Sequence, residues 1–134
     1  MAYWLMKSEP SSYSWDDLVE DGKTEWDGVR NNAARLHLRA MAVGDQAFFY
    51  RSLTEPAVVG IMRVSRGPAA DPKDKAWVSV EVTPLGAIGP VTLKRIKGNP
   101  RLAAMELVRQ SRLSVAPVRE EEWAEVLRMA AAAA

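Results

Sequence analysis

Tyr3-Trp4-Leu5-Met6-Lys7-Ser8-Glu9-Pro10, Trp26-Asp27-Gly28-Val29-Arg30-Asn31 and Phe48-Phe49-Tyr50-Arg51-Ser52 set the character of this 134-residue chain. The first string reads as a short strand, mostly aromatic and apolar, ended by Pro10, which has no backbone N–H to offer a neighbour. The second centres on an Asp-Gly turn. The third closes a strand over residues 46–51 that follows a Gly44-Asp45 turn. Aromatic, Arg, Asn and Ser side chains crowd the ends of these elements. Such groups stack on flat ligands and hydrogen-bond their edges, and they are poorly suited to covalent chemistry.

Outward from these strings, Ser14 and Asp17 form a capping box for a short helix that presents Trp15, Leu18 and Val19 on one side and ends at Gly22. Residues 31–42 read as a second helix, capped by Asn31 or Asn32, with Ala34, Leu38 and Met41 in a stripe and Gly44 past its end. Ala57 to Val64 is a Val- and Ile-rich strand. Residues 67–75, with Gly67, Pro68 and Pro72, read as a loop. In residues 77–82 the period-two pattern sets Trp77, Ser79 and Glu81 opposite Val78, Val80 and Val82. Pro84 to Pro90 reads as turn-rich. Asn99-Pro100 starts a helix striped by Leu102, Met105 and Val108. Ser114 to Val118 is extended, Glu120 to Met129 is the last helix, and Ala130 to Ala134 fray. This order is not a regular strand–helix alternation. It fits one α+β domain over residues 1–134, a small mixed β-barrel, partly open, with helices packed around it.

The composition excludes several classes of function. There is no cysteine, which removes disulfides and thiolate metal sites. No apolar run approaches the roughly 20 residues that span a bilayer, and no basic segment precedes an apolar leader. The expectation is a soluble, cytoplasmic protein with no membrane, metal or cofactor partner. The single histidine, His37, lies inside the second helix and reads as a surface residue. No Gly-x-Ser-x-Gly elbow, phosphate loop or dinucleotide fingerprint occurs, so no catalytic residues are assigned. The acidic groups Asp16-Asp17 and Glu120-Glu121-Glu122 suit positive helix N-termini.

The net charge is +1, but charge is unevenly distributed. Residues 9–27 hold seven acids against Lys23. Residues 28–66 hold six arginines against Asp45 and Glu55. Residues 94–112 hold Lys94, Arg95, Lys97, Arg101, Arg109 and Arg112 against Glu106. Two basic blocks on one face would attract anions, and the same arginines could equally solvate ordinary surface. Among five tryptophans, Trp15, Trp77 and Trp123 read as core. Trp4 and Trp26 stand apart. Trp26 beside Arg30 and Asn31 is either a stacking wall or a plug in the open barrel end.

These strings, with Met41-Ala42-Val43-Gly44-Asp45, Val58-Val59-Gly60-Ile61, Leu107-Val108-Arg109-Gln110-Ser111-Arg112-Leu113-Ser114-Val115 and Pro117-Val118 … Glu121-Glu122-Trp123, closely resemble the EVE domain family over about residues 2–129. The resemblance implies a PUA-like fold, a small mixed β-barrel flanked by helices, related to YTH domains and more distantly to PUA and ASCH domains. It also implies a non-catalytic domain whose partner is nucleic acid, modified DNA or RNA. The modified base would be flipped into an aromatic and polar pocket. On this implication Trp26 is the stacking wall, Ser8 and Asn31 read base edges, and Tyr50 and Ser52 stand at the rim. Lys7, Arg30, Arg35, Arg51, Arg109 and Arg112 contact phosphate or support the pocket. The chain departs from the family pattern at Arg51, where many members have His, and at Asn32, Ala33, Leu36 and Ala116. It also departs at Arg119, where Thr is frequent and would cap the last helix. A general RNA-binding module and an enzyme acting on a nucleotide-like ligand are the competing readings.

Overall fold

The computed structural model describes residues 1–132. Strand β1 (Tyr3–Ser8) is followed by helix α1 (Trp15–Asp21), strand β2 (Thr24–Trp26), helix α2 (Asn32–Ala40) and strand β3 (Gln46–Arg51). A long hairpin, β4 (Ala57–Asp71) and β5 (Asp74–Thr92), leads into helix α3 (Leu93–Lys97) and a single 3-10 turn (Pro100–Leu102). Helix α4 (Glu106–Arg109), strand β6 (Val115–Val118) and helix α5 (Glu120–Ala132) complete the chain. The strands form one mixed sheet in the order β2-β5-β4-β3-β1-β6.

β1 and β3 lie parallel, Tyr3 beside Gln46 through Ser8 beside Arg51. A parallel pair needs a long crossover. Here the crossover carries α1, β2 and α2, and it reaches across the sheet to pair β2 with β5 at the far edge. Both faces of the pair are buried, and alternate residues feed two cores. Trp4, Met6, Ala47 and Phe49 join Leu18, Trp26, Ala34, Leu38 and Val80 in an inner core. Leu5, Phe48 and Tyr50 join Ile96, Leu102, Trp123, Val126 and Met129 in an outer one. Trp123 stacks on Phe48, with ring centroids 3.9 Å apart, and on Tyr3 at 4.5 Å. α2 packs against the neighbouring strands β4 and β5 and also against β6, at the opposite edge of the sheet from β2. The sheet therefore curls around α2 without closing: β2 and β6 remain its two edges.

The segments read as loops at residues 67–75 and 84–90 are strand. Pairing runs to Asp71 opposite Asp74, leaving only Pro72 and Lys73 as the turn. Gly67, Pro68, Pro84 and Gly86 sit among repeated register shifts, where a bulged hairpin tolerates residues that a flat strand does not. The bulges also break the side-chain alternation. Ala57 and Val59 face the inner core, and so do Met62 and Val64, which have the opposite parity.

Other local features follow the sequence closely. The Ser14–Asp17 capping box forms, Gly22 is left-handed at φ 77°, and Asn31 caps α2 by accepting from the Ala34 N–H at 3.0 Å. α2 ends at Ala40 with Met41 as its cap, two residues before the expected end. Asn99-Pro100 starts only the 3-10 turn, and α4 begins separately after Met105. The short elements β2 and α3 have too few residues to show a period in sequence. α3 is capped by the Thr92 hydroxyl. At the start of α5 the Glu122 carboxylate accepts from the Arg119 N–H at 2.9 Å, so half of a capping box survives without a Thr. Within the expected frayed tail, Ala130 is buried and the helix continues to Ala132; residues 133 and 134 lie outside the described residues.

Two buried carboxylates tie the chain together. Asp45 is 5% exposed and accepts from the Ala2 N–H (3.1 Å), the Trp4 indole N–H (3.0 Å) and the Ala42 N–H (3.0 Å). It joins the start of β1 to the turn before β3. Burial alone would raise its pKa, but these donors outweigh burial and hold it below the ordinary value. Asp71, 1% exposed at the hairpin tip, accepts from the Gly28 N–H (2.9 Å), the Arg30 guanidinium (2.9 Å) and the Lys73 N–H (2.7 Å). Again burial opposes ionisation, and the donors overcome it, bringing the carboxyl to about 2. The hairpin tip thereby holds the turn after Trp26, where Gly28 takes φ 75°.

Replacing Asp45 by Ala leaves three inward donors without an acceptor, and should lower unfolding stability by about 3 kcal/mol in urea titration. Asp71 should have a distinct acid signature. Its folded pKa is depressed, so its contribution is full above about pH 4, the unfolded value, and is lost as pH falls towards 2. Asp71→Asn should cost about 1–3 kcal/mol at neutral pH and flatten the fall in stability between about pH 4 and 2.

Candidate functional site

Where β1 ends, a cleft of about 490 Å³ opens between the Ser8–Tyr13 segment and β2. Lys7, Ser8, Tyr13, Thr24, Trp26 and Lys73 are among its walls. Trp26 is largely buried and also lines the cleft. It is 8% exposed and sets its ring edge against Phe49, with centroids 5.7 Å apart, while its remaining surface lines the cleft. Its indole N–H has no acceptor among the described residues and is not sealed in the core. The Asp71 contacts to Gly28 and Arg30 fix the turn that carries it.

Ser8 lies at the cleft, but its hydroxyl donates to the Tyr13 carbonyl at 2.5 Å, leaving only lone pairs for a ligand. Lys7 extends from the other side of β1. Its ammonium donates to the Ser111 carbonyl at 2.7 Å and lies 5.7 Å from the Tyr50 ring centroid. Burial lowers its pKa. Ser111 in turn lines a second, shallower cleft of about 380 Å³ with Asn31, Arg109, Gln110 and Arg112. Asn31 is thus beside the Arg109–Arg112 segment and does not line the Trp26 cleft. Its side-chain oxygen is occupied as the α2 cap, which leaves the amide N–H groups to face a ligand.

Tyr50 and Ser52 line neither cleft. Tyr50 is 3% exposed in the outer core, because residue 50 has the parity of Leu5 and Phe48; burial pushes its phenol up to about 12. Ser52 donates both its N–H (3.0 Å) and its hydroxyl (3.1 Å) to the Ser8 carbonyl, tying the ends of β1 and β3 together.

The arginines divide by task. Arg30 bonds Asp71, and Arg35 bonds the Ala76 carbonyl (3.1 Å) and Asn32 (3.0 Å). Both guanidiniums approach the Trp77 ring, at 5.6 and 4.9 Å from its centroid. Trp77 is therefore not a core residue: it is half-buried under two cations near the tip of the hairpin. Arg51 donates to the Glu55 carbonyl through Nε (3.1 Å) and Nη2 (2.9 Å), holding a loop in which Leu53 and Glu55 have positive φ. Arg109 pairs with Glu106 at 3.4 Å, whereas Arg112 forms no ion pair among the described residues.

The Trp26 cleft has a mixed rim. Glu25 is neutralised by Arg66, and Asp27 lies 3.6 Å from Lys73. The second cleft has Arg109 and Arg112 and no acid among its lining residues. No local pattern in the sequence singles out Tyr13, Thr24 or Lys73. The turn after β1, strand β2 and the hairpin turn bring them to Trp26, and their meeting is set by long-range pairing. Among the described residues no group of three His, Cys, Asp or Glu side chains could hold a metal, and no helix is long and apolar enough to cross a membrane.

The sequence and the overall fold resemble those of known proteins. The EVE domain model matches residues 2–129. Thymocyte nuclear protein 1 of Mus musculus is 34% identical, over 95% of this chain and 73% of its own length. A crystal structure of an Agrobacterium tumefaciens protein superposes with a TM-score of 0.95 at 44% identity, covering 99% of this chain and 95% of that one. Human THYN1, crystallised in complex with DNA containing 5-methylcytosine, superposes with a TM-score of 0.89 at 31% identity, covering 96% and 97%. A match that runs from β1 into α5 and extends to the whole fold leaves one assignment: the chain belongs to the EVE domain family.

Proposed function

We propose that this domain binds nucleic acid without catalysing a reaction, and inspects a single extruded base, modified in its preferred target, in the Trp26 cleft. The observation that carries this reading is Trp26 itself: an indole held edge-on against Phe49 that lines the cleft and whose N–H has no acceptor among the described residues. Extruding a base costs a few kcal/mol. Stacking on an aromatic side chain returns roughly 1–3 kcal/mol per base, and hydrogen bonds to the base edge add to it. Ser8 would accept from the base edge through its lone pairs, and Thr24 offers a hydroxyl. Lys7 and Lys73 would receive the flanking phosphates. The human relative's complex with 5-methylcytosine DNA supports DNA as the partner and cytosine modification as the first to test.

A second reading rests on the cleft of Asn31, Arg109 and Arg112, whose charge is uncompensated among its lining residues. It makes the domain a general phosphate-backbone binder. The two readings differ in salt response and in base preference, since phosphate contacts carry no sequence information.

Fluorescence-polarisation titration should separate them, using DNA and RNA oligonucleotides with 5-methylcytosine, 5-hydroxymethylcytosine, N6-methyladenine or no modification. Preference for one modified DNA is expected, at least about fivefold; equal affinity for every probe would refute base inspection. Trp26→Phe fills the core yet removes the indole N–H. It should weaken the preferred complex about three- to tenfold with little change in stability, a range set by one partial stack and one hydrogen bond. Arg112→Ala should lower affinity for all probes alike and reduce the salt slope by about one phosphate contact.

A further inference from the structure

Beside the Trp26 cleft, and sharing Ser8 and Tyr13 with it, lies a separate slot of about 250 Å³. Trp15, Phe49, Val59, Ile88 and Pro90 form its apolar walls, and Asp16 and Arg51 are its charged lining residues. The slot depends on local irregularities. Gly60 has no side chain because the Trp15 ring occupies that space: a Cβ there would lie 2.4–2.6 Å from the ring carbons. The register shift between Val58 and Gly60 releases Val59 from the ladder and turns it to the inner core and the slot wall.

Arg51 and Pro90 also border a third opening, an apolar groove along α3 rimmed by Lys94 and Lys97. Arg51, Lys94 and Lys97 face one acid there, Glu55. Lys94 and Lys97 form no ion pair among the described residues, and Arg51 keeps Nη1 free while Nε and Nη2 hold the loop. Three openings thus adjoin in sequence through shared walls: an aromatic cleft, an apolar aromatic slot and a cationic groove. Here the two basic blocks of the chain meet, Arg51 from one and Lys94 and Lys97 from the other.

We propose that the Trp15 slot is a second nucleotide subsite, which takes the base next to the inspected one, and that Arg51, Lys94 and Lys97 guide the phosphates beyond it. This rests on the base-inspection reading and extends it. The chemistry is that of a short single-stranded segment: a planar base against Trp15, Val59 and Pro90, and an anionic backbone led along the cations. A duplex would have to open by two adjacent positions to fill both sites, so the domain should favour single strands or duplex ends over uninterrupted duplex.

The test uses the full chain and a short single-stranded DNA with a central 5-methylcytosine. In two further probes the nucleotide immediately 5′ or 3′ of it is abasic. One abasic probe, and only one, should bind about tenfold more weakly than the intact strand. Trp15→Leu should erase that difference while keeping the preference for 5-methylcytosine over cytosine. Lys94→Glu with Lys97→Glu should weaken every probe equally and flatten the salt dependence by roughly two contacts. Equal binding of both abasic probes and the intact strand by the unaltered protein would overturn the subsite, even if Trp15→Leu failed to fold. A one-sided loss that persists in folded Trp15→Leu would also overturn it, by placing the neighbouring base elsewhere. Salt dependence unchanged by the lysine substitutions would remove the groove from the path. No binding of any probe would instead overturn the base-inspection reading, and this proposal with it.

Discussion

The parallel pairing of Tyr3–Ser8 with Gln46–Arg51 is the constraint on which the rest of the structure depends. Because these strands are covered on both faces, each successive side chain must satisfy a different core. Phe48 enters the stack with Trp123 while Phe49 meets Trp15 and Trp26. Parallel pairing also forces the 37 residues between the strands to cross over the sheet. That crossover delivers both helix α2, around which the sheet curls, and strand β2, which carries Trp26. The candidate site is therefore built from the connection that the strand pairing requires.

Asp45 and Asp71 serve this arrangement from opposite ends. Each gathers two donors from a segment distant in sequence and a third from its own turn, and each stays ionised although burial opposes it. Asp45 fastens the N-terminal strand to the turn before β3. Asp71 reaches from the hairpin tip to the turn after Trp26, so the longest excursion of the chain is also what holds the cleft wall. A buried carboxylate with all its partners in place fixes geometry more than it adds stability. That suits a site which must present an aromatic surface without rearranging.

How far each residue's place was legible depended on whether its partners are local. Ser14, Asp17, Gly22 and Asn31 announce helix ends, because a cap is settled within three or four residues. Trp123 was readable as core from helical spacing alone. Tyr50 misled because it stands next to Arg51 and Ser52 in sequence, and only the face of β3 on which it falls decides that it is buried. Trp77 misled in the opposite sense. Its strand alternates cleanly, yet the residues that cover it, Arg30 and Arg35, come from the loop before α2 and from α2 itself. The segments rich in Gly and Pro between residues 67 and 90 read as loops because local composition cannot show that a bulged partner strand lies alongside.

By itself the sequence determined the family and its mixed strand-and-helix fold. It also determined the caps, the apolar stripes and the lack of ordinary catalytic and thiolate sets, because each depends on residue type and short spacing. The tertiary structure alone decided which aromatic groups remain open to a ligand. Trp26, Tyr13, Thr24 and Lys73 meet only when β2 pairs with β5 and the hairpin tip folds back to Gly28. The Trp15 slot exists only because a bulge and a glycine on β4 make room for one indole ring. Burial and adjacency are properties of long-range pairing, and in this protein that pairing runs through an irregular hairpin that leaves no period in the chain.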